Sequence, residues 1–262
     1  MTISFHPPFL ANPAELVSVL QDQGHAVIDA QAVETLSACP APALAAWRPF
    51  WANLPADNFL KDGGRYRKRR HSCFVVNGAQ LTQVAHRAHW QPLEYNALHG
   101  GMQRLFEPMD SALVSQAAWQ HLLLWLGQVC SGLKGSQPWY VEAHQFRIDT
   151  TNGIGRPTPE GAHRDGVDMV AVFLVDRQGV KGGETRVFEA AGPNGQRFTL
   201  TEPWSLLLLD DARVVHETTP IQPLQPLQPV QPVQPVQADG AATYRDTLVI
   251  TLRARGFQED AP

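Results

Sequence analysis

A closely spaced histidine and aspartate, together with a later histidine, have the residue types and spacing that could bind a metal ion. His163 and Asp165 are separated by a single residue. In an extended segment, residues i and i+2 point to the same side of the chain, so this imidazole and this carboxylate can reach one ion. A third ligand has to come from another part of the fold. His216, in the strand-like segment 213–217, is well placed to supply it.

Two neutral imidazoles and one carboxylate on one side of a metal leave its other coordination positions open. This donor set is typical of iron(II) in oxygenases, whereas zinc usually takes a closed tetrahedron or keeps one open position. The spacing alone is weak evidence, because a His-x-Asp pair is expected by chance roughly once in two sequences of this composition. The context strengthens it, since a turn-like segment at 159–162 precedes the pair and a strand-like segment begins at Asp168.

The second half of the chain has the pattern of an antiparallel β-protein. Its apolar segments are short, rich in β-branched and aromatic residues, and separated by Gly, Pro, Asn and Asp, which is typical of strands joined by turns. Such a series predicts a sandwich or a barrel. The predicted strands span residues 140–148, 168–175, 184–188, 204–209, 213–217 and 245–253.

The first half of the chain is predicted to be mainly helical. A proline follows Asn12, and apolar residues at helical spacing continue towards Gly24, which gives one helix both a start and a stop signal. A short strand is predicted at 25–28, an amphipathic segment with proline breaks at about 34–51, and a very apolar helix at about 119–133. Helices followed by strands indicate an α+β fold with the helices packed outside the sheet.

Four blocks of sequence occur in the order expected for a known enzyme family. They are PEGAHRDGVD at 159–168, GGET at 182–185, LDDARVVH at 209–216 and YRDTLVIT at 244–251. Together, within about residues 140–255, they resemble the iron(II)/2-oxoglutarate-dependent dioxygenases that include bacterial free L-amino-acid hydroxylases such as L-isoleucine 4-hydroxylase. The resemblance implies a double-stranded β-helix, or jelly roll, with His163, Asp165 and His216 as iron ligands. It also implies that Asp210 and Asp211 support the turn before His216 or support a ligand.

The same resemblance implies where 2-oxoglutarate is held. The family binds the distal carboxylate of this co-substrate with a basic residue on a late strand, and Arg245 matches that residue. A guanidinium can form two hydrogen bonds to a carboxylate and stays charged at neutral pH. Thr247 shares the face of Arg245 by strand alternation and could add a hydroxyl. Because Arg245 follows His216 at a longer distance than in the family, Arg253 or Arg255 is the alternative.

A tract rich in proline and glutamine accounts for most of the extra length between His216 and Arg245. Proline recurs at every third position within residues 222–238, which is the period of polyproline II and is incompatible with a helix or a central strand. We interpret the tract as a loop insert, because lengthening a surface loop costs little entropy. A docking motif for an SH3-like partner is the alternative interpretation.

Polar residues in two further segments are candidates for substrate binding. Gln145 and Arg147 share one face of the predicted strand 140–148, and Arg67 and Arg70 belong to a basic run. Both segments have a fainter resemblance to the same family. Arginines directed into a barrel would bind a substrate carboxylate, whereas clustered charge usually forms a solvated surface. The remaining histidines are predicted to have ordinary core or surface positions.

The composition excludes several other classes of protein. The hydrophobic fraction of 44% and charged fraction of 18% are those of a globular chain. The net charge of -4 lacks the basic excess expected for binding nucleic acid or an anionic membrane. Cys39, Cys73 and Cys130 form no C-x-x-C pair, which indicates neither a disulfide framework nor a thiolate zinc site and fits the cytoplasm. No secretory leader or membrane span is predicted.

These observations predict one dioxygenase domain over residues 1–262, with helical support at about 1–135 and a jelly-roll core at about 140–255. It is expected to use iron(II), 2-oxoglutarate and dioxygen to hydroxylate a small substrate, namely a free L-amino acid or a close relative. No nucleic-acid or membrane partner is expected, and a homo-oligomer is compatible with the sequence. The alternatives are an oxygenase acting on a peptide or nucleic acid, a non-redox cupin-like metal-binding protein, and a non-catalytic protein that uses the proline tract.

Overall fold

A computed structural model of the chain describes residues 6–96, 98–151, 153–224 and 242–258. The part of the proline and glutamine tract from residue 225 onwards lies outside the described residues, so the prediction for it stays untested. Within the ranges described, no helix is long and apolar enough to cross a membrane.

The helices of the described chain all lie in its first half. Asn12 accepts a hydrogen bond from the backbone N–H of Ala14 at the start of the first helical segment, and Gly24, with φ of 75°, ends it. These are the start and stop signals predicted from the sequence. The α-helices are α1 (Leu16–Gln23), α2 (Ala30–Ser37), α3 (Ala41–Ala45), α4 (Ser111–Val114) and α5 (Ala117–Lys134), with 3-10 helices at Pro13–Glu15 and Arg48–Trp51.

The strands of the described chain come mainly, but not only, from its second half. Each of the six strands predicted there is confirmed to within a few residues at its ends. The strands are β1 (His25–Ile28), β2 (Arg67–Asn77), β3 (Gln80–Gln83), β4 (Trp139–Asp149), β5 (Met169–Gln178), β6 (Val180–Gly182), β7 (Thr185–Glu189), β8 (Gly195–Phe198), β9 (Leu206–Asp210), β10 (Val214–Thr218), β11 (Ile221–Pro223) and β12 (Tyr244–Arg253).

The strands form one large antiparallel sheet and two small ones. The large sheet has the order β1-β9-β5-β12-β4-β2-β3, and the small sheets are β10-β7-β8 and β11-β6. Non-consecutive neighbours in the large sheet mean that the chain crosses repeatedly between sheets, as in a jelly roll. The prediction of an α+β fold built on antiparallel sheets is confirmed.

The two faces of the large sheet have different roles. Leu248, Ile250 and Leu252 of β12 are buried in the main core, which also contains Trp119 and other apolar side chains of α5. The alternate positions on β12 turn to the opposite face, as strand geometry requires. This alternation places the helices on one face of the sheet and leaves the other face for the small sheets and a cavity.

The first half of the chain supplies more than helical support. β1, β2 and β3 are all part of the large sheet, and β2 pairs with β4 from Arg67 to Val76. The sequence did not predict β2, because its basic residues resemble a solvated run. In the structure Arg67, Arg69 and His71 alternate into the interior, where acidic and aromatic partners from other segments surround them.

Candidate active site

The three predicted metal ligands lie together at the edge where the segment before β5 meets β10. His163 and His216 exchange backbone hydrogen bonds of 3.0 and 2.9 Å, which fixes the two rings side by side. The Nε2 atom of His163 is 3.8 Å from Oδ1 of Asp165, and Nε2 of His216 is 3.8 Å from Oδ2 of the same carboxylate. All three donor atoms lie within 4.8 Å of one another, so one ion could contact all of them.

The two histidines differ in the protonation that their surroundings favour. Nδ1 of His163 donates to the carbonyl of Gly161 at 2.9 Å, which leaves the lone pair of Nε2 directed towards Asp165. Burial lowers the pKa of His216 to about 4, so its imidazole is neutral at physiological pH. Burial opposes a charge on His163 too, but the carboxylates of Asp165 and Glu160 outweigh it and raise the pKa of His163; a bound cation would displace that proton.

The backbone around Asp165 is held by Asp211. The carboxylate of Asp211 accepts hydrogen bonds from the backbone N–H groups of Asp165, Gly166 and Val167, at 2.9, 2.7 and 3.1 Å. Burial and the nearby Asp165 carboxylate raise the pKa of Asp211 to about 7. Asp211 therefore organises the loop that presents the ligand, which agrees with its expected supporting role.

A cavity of about 140 Å³ adjoins the three groups. It lies on the face of the large sheet opposite the helices, with its walls on β2, β4 and β12. Two further segments close it. The stretch between β3 and α4 contributes Gln91 and Arg104, and the end of the described chain contributes Phe257 and Gln258. Gln258 also binds the backbone, donating to the carbonyl of Asp165 at 2.6 Å.

Arg245 lies in this cavity with an unsatisfied donor. The residue is 3% exposed, and its Nε has no hydrogen-bond partner among the residues that the structure describes. Burial lowers the pKa of Arg245 to about 10, so it stays charged at neutral pH. Thr247, two residues further along β12, also lines the cavity. A buried guanidinium with an unpaired Nε, beside a hydroxyl, fits the distal carboxylate of 2-oxoglutarate.

The two alternatives to Arg245 are less suited to binding a carboxylate. Arg253 lines the cavity, but its Nη1 donates to the backbone carbonyls of Gly256 and Phe257 at 2.9 and 3.0 Å. Arg255 is exposed to solvent and does not line the cavity. Of these three arginines, Arg245 is the one with a buried donor that has no partner in the described chain.

Two of the predicted substrate residues face away from the cavity. On β4, the even-numbered residues from 140 to 148 line it, so the odd-numbered ones face the helices. Arg147 donates to Asp246 from Nε and Nη2 at 2.8 and 2.6 Å, and Nε2 of Gln145 reaches the carbonyl of Phe50 at 3.5 Å. This geometry contradicts the predicted contact of Gln145 and Arg147 with substrate.

The basic run supplies one predicted residue and one unpredicted residue to the cavity. Arg67 lines it, as expected, while Arg70 lies on the other side of β2, where it contacts Glu107 and the carbonyl of Pro108, each at 2.9 Å. The structure therefore contradicts a substrate role for Arg70. Arg69 takes the inner position instead. If β2 had been predicted, strand alternation would have placed Arg67 and Arg69 on the same face.

Several other cavity residues were missed by sequence reasoning. Arg104 and Gln91 come from a stretch without helical or strand periodicity, so no sequence signal marks them. Nε2 of Gln91 donates to Oδ1 of Asp165 at 3.1 Å, and Oε1 of Gln91 accepts from Nη2 of Arg104 at 2.9 Å. Glu160, just before the histidine pair, has a carboxylate oxygen 3.6 Å from Nε2 of His163.

A second cluster of metal-binding residue types lies beside the cavity. Donor atoms of His71, His89, His144 and Glu142 lie within 4.8 Å of one another. However, Nη2 of Arg69 is 2.8 Å from Nδ1 of His144. Arginine can only donate, so neutral His144 carries its proton on Nε2 and has no lone pair there for a metal. The cluster is better described as a hydrogen-bonded wall, with His89 Nδ1 on Glu142 at 2.6 Å.

The chain is similar to known oxygenases in sequence and structure. A family model described as 2OG-Fe dioxygenase matches residues 48–231. A bsmA homologue from Methylobium petroleophilum PM1 is 50% identical, with a TM-score of 0.87, over 97% of this chain and 98% of the other. No curated protein matches.

Two more distant structures share the fold. IDO from Bacillus thuringiensis is 16% identical, with a TM-score of 0.71, over 98% of this chain and 99% of the other. The Fe(II)/(alpha)ketoglutarate-dependent dioxygenase TqaL is 18% identical, with a TM-score of 0.66, over 92% and 86%. The family match covers well over half of the chain, and the structure brings together a donor set that suits the family's iron(II). The chain belongs to the 2OG-Fe dioxygenase family and is an enzyme that uses iron(II) and 2-oxoglutarate.

Proposed function

We propose that this enzyme hydroxylates a small free amino acid or a close relative. The observation that carries the proposal is a cavity beside the metal-ligand candidates, with charged groups of both signs beyond those needed for cofactor binding. Oε2 of Glu160 is buried without a hydrogen-bond partner in the described chain, and so are donor atoms of Arg67, Arg69 and Arg104. A zwitterion offers an ammonium group and a carboxylate that would satisfy both kinds of atom.

The size of the cavity also favours a small substrate. The cavity, of about 140 Å³, has to hold 2-oxoglutarate together with the substrate, which leaves little space for a large substrate. The segment between β3 and α4 covers it from one side and the 253–258 segment from another. A peptide would need an open groove, and a flipped nucleotide would need a base-sized pocket together with a positive track along the surface for the phosphates.

The proposed roles of the residues follow from their positions. His163, Asp165 and His216 hold the iron, and Arg245 with Thr247 binds the distal carboxylate of 2-oxoglutarate. When bound, the metal and co-substrate supply oxidation by dioxygen, which converts 2-oxoglutarate to succinate and carbon dioxide and places a hydroxyl on the substrate. The chain contributes orientation and a cavity with little water, in which its fixed charges act strongly.

Succinate release tests the proposal. Purified enzyme with iron(II), 2-oxoglutarate, ascorbate and dioxygen is given each of the common free L-amino acids, and both succinate and hydroxylated product are measured. We expect at least one amino acid to give the two products in equal amounts. His163→Ala and Asp165→Ala should lose both products, while Arg70→Gln, which is directed away from the cavity, should keep them. Equal slow succinate release with every amino acid, without hydroxylated product, would contradict the proposed substrate class.

A further inference from the structure

We propose that Arg67, Arg69 and Arg104 form a carboxylate-binding site for the substrate, distinct from the Arg245 site. The inference rests on the proposed function and assigns an orientation to the substrate in the same cavity. The three residues are 5%, 3% and 2% exposed, and all three line the cavity. We call them the arginine cluster.

Each member of the arginine cluster has a buried N–H group without a partner. These donors are Nη2 of Arg67, Nε of Arg69 and Nε of Arg104, none of which has a hydrogen-bond partner among the described residues. Leaving a buried donor unpaired is unfavourable, and more so for a charged group. A carboxylate has two oxygens that together accept about four hydrogen bonds, so one bound carboxylate could satisfy all three donors.

The arginine cluster has one carboxylate of the described chain in direct contact. Asp57 is the carboxylate in direct contact, with its Oδ2 2.7 Å from Nε of Arg67 and 3.8 Å from Nη1 of Arg69. The contact of Arg104 is the neutral amide of Gln91. Glu142 lies nearby but is hydrogen-bonded to His89. Glu142 and Glu160 attract Arg104 at longer range, so the three guanidinium groups have one carboxylate in direct contact and N–H groups left for a ligand.

The central arginine is held in place before any ligand binds. The guanidinium carbon of Arg69 lies 3.8 Å from the ring centre of Phe106 and 4.4 Å from that of Phe146, and its Nη2 binds His144. Burial lowers the pKa of His144 well below its usual range, so this imidazole is neutral and accepts the proton of Arg69. A planar guanidinium fixed in this way loses little entropy on binding a carboxylate.

The strand register separates the arginine cluster from Arg245. Arg67 is paired with Ile148 of β4, and Ile148 is paired on its other side with Arg245. The two arginines therefore lie at one level of the sheet, two strand spacings apart, or roughly 10 Å. This spacing allows two carboxylates to bind side by side, one from 2-oxoglutarate and one from the substrate.

Gln91 connects the arginine cluster to the proposed metal site. Its amide accepts from Arg104 and donates to the carboxylate of Asp165, so one amide group separates the cluster from a metal ligand. A substrate whose carboxylate lies on the arginines extends its side chain past Gln91. We therefore expect oxidation at a side-chain carbon and not beside the carboxylate.

Kinetics of single variants test this assignment. Arg69→Gln and Arg104→Gln are each expected to raise KM for the amino acid at least about 30-fold, because truncating one partner of a buried charge pair costs 2 kcal/mol or more. KM for 2-oxoglutarate should stay within about two-fold. Arg245→Gln should instead raise KM for 2-oxoglutarate and leave KM for the amino acid nearly unchanged. Arg70→Gln, on the same strand as Arg69 but facing away, is the matched control, and circular dichroism checks that each variant is folded.

A binding measurement decides the inference independently of turnover. Calorimetry on the full metal-free chain carrying Arg245→Gln, with propionate as the probe, should show one binding site. Adding Arg69→Gln or Arg104→Gln should abolish it, and propionamide should not bind. The assignment is overturned if these substitutions change the KM for 2-oxoglutarate instead, or leave propionate binding intact. If no amino acid is hydroxylated but propionate binds as described, the proposed substrate class fails while the anion site stands.

Discussion

Asp211 shows how a residue that is not itself a ligand can support a proposed metal site. Its carboxylate accepts three consecutive backbone N–H groups, from Asp165 to Val167, and so fixes the loop that presents the proposed ligand. Its neighbour Asp210 points elsewhere and binds Nζ of Lys134 at 2.7 and 2.8 Å. Two adjacent aspartates therefore have separate tasks, one at the metal site and one between the sheet and α5.

Replacing these two aspartates separately should distinguish the tasks. We expect Asp211→Ala to weaken iron(II) binding about 10- to 100-fold, which is the usual loss when a group supporting a ligand is removed. Asp210→Ala should lower the free energy of unfolding, because it leaves Lys134 without its partner, and should leave metal affinity nearly unchanged. Titration with iron(II) under anaerobic conditions measures the affinities. Equal metal affinity in both variants would refute the role given to Asp211.

At the scale of elements, the close contact between α5 and β2 positions one wall of the cavity. Gly127 of α5 faces β2, and a Cβ atom added there would lie 2.6 Å from Cγ1 of Val76. Gly132, one and a half turns later, faces α1, where an added Cβ would lie 3.3 Å from Cγ2 of Val17. The glycine at 127 allows the helix to approach the strand that carries Arg67 and Arg69.

The two glycine contacts predict different effects of Gly127→Ala and Gly132→Ala on the free energy of unfolding. Alanine gains about 1 kcal/mol over glycine in a helix, but overpacking a buried contact costs typically 1–3 kcal/mol. We expect Gly127→Ala to lower the free energy of unfolding by about 1 kcal/mol, because Val76 is buried and cannot easily move. Gly132→Ala should be neutral or stabilising, since its contact needs only a small shift. Urea unfolding compares them, and a more stable Gly127→Ala variant would contradict the packing described.

At the scale of the whole molecule, neutral buried histidines make the fold sensitive to acid. Burial lowers the pKa of His71 to about 3 and that of His99 to about 4, and it lowers the pKa values of His89 and His144 well below their usual range. Between the ordinary histidine pKa and these values, the unfolded chain binds more protons than the folded one. Stability contributed by these groups is therefore present at neutral pH and falls as the pH decreases below about 6.5.

Replacement of one histidine should reduce this acid sensitivity. Each such group contributes a slope of up to about 1.4 kcal/mol per pH unit. We expect His71→Gln to show a shallower loss of unfolding free energy between pH 6.5 and 4.5 than the parent protein, measured by urea unfolding of metal-free samples. His121→Gln, at an exposed position of α5, is the control and should keep the parent slope. An unchanged slope for His71→Gln would show that His71 is not held neutral.

The described residues on either side of positions 225–241 meet at one place on the molecule. The backbone N–H of Leu224 donates to the carbonyl of Gly179 at 2.8 Å, and a Cβ added to Gly179 would lie 2.8 Å from Cγ2 of Thr243. A short linker can therefore join these ends. We expect replacement of residues 225–241 by about four glycine and serine residues to leave succinate production within two-fold, because loop length has a small entropic effect. A loss of activity with an unchanged melting temperature would indicate a functional tract.

Features that depend on neighbouring residues could be predicted from the sequence. Asn12 and Gly24 mark the ends of the first helical segment, and the period of two places Leu248, Ile250 and Leu252 on the helix side of β12. The same short-range geometry predicts that His163 and Asp165 point to one side. The resemblance to a dioxygenase family then gave His216 and Arg245, which the structure places in the same cavity.

The face of a strand that meets the cavity, and the distant segments that complete the cavity, depend on long-range packing. Gln145 and Arg147 share a face, as predicted, but the pairing of β4 between β12 and β2 turns that face towards the helices. β2 is buried despite its charges, because Asp57, Phe106 and Phe146 surround the arginines. Arg104 and Gln91 lie in a segment whose sequence has neither helical nor strand periodicity. These outcomes depend on sheet register and on partners far apart in sequence, neither of which local pattern encodes.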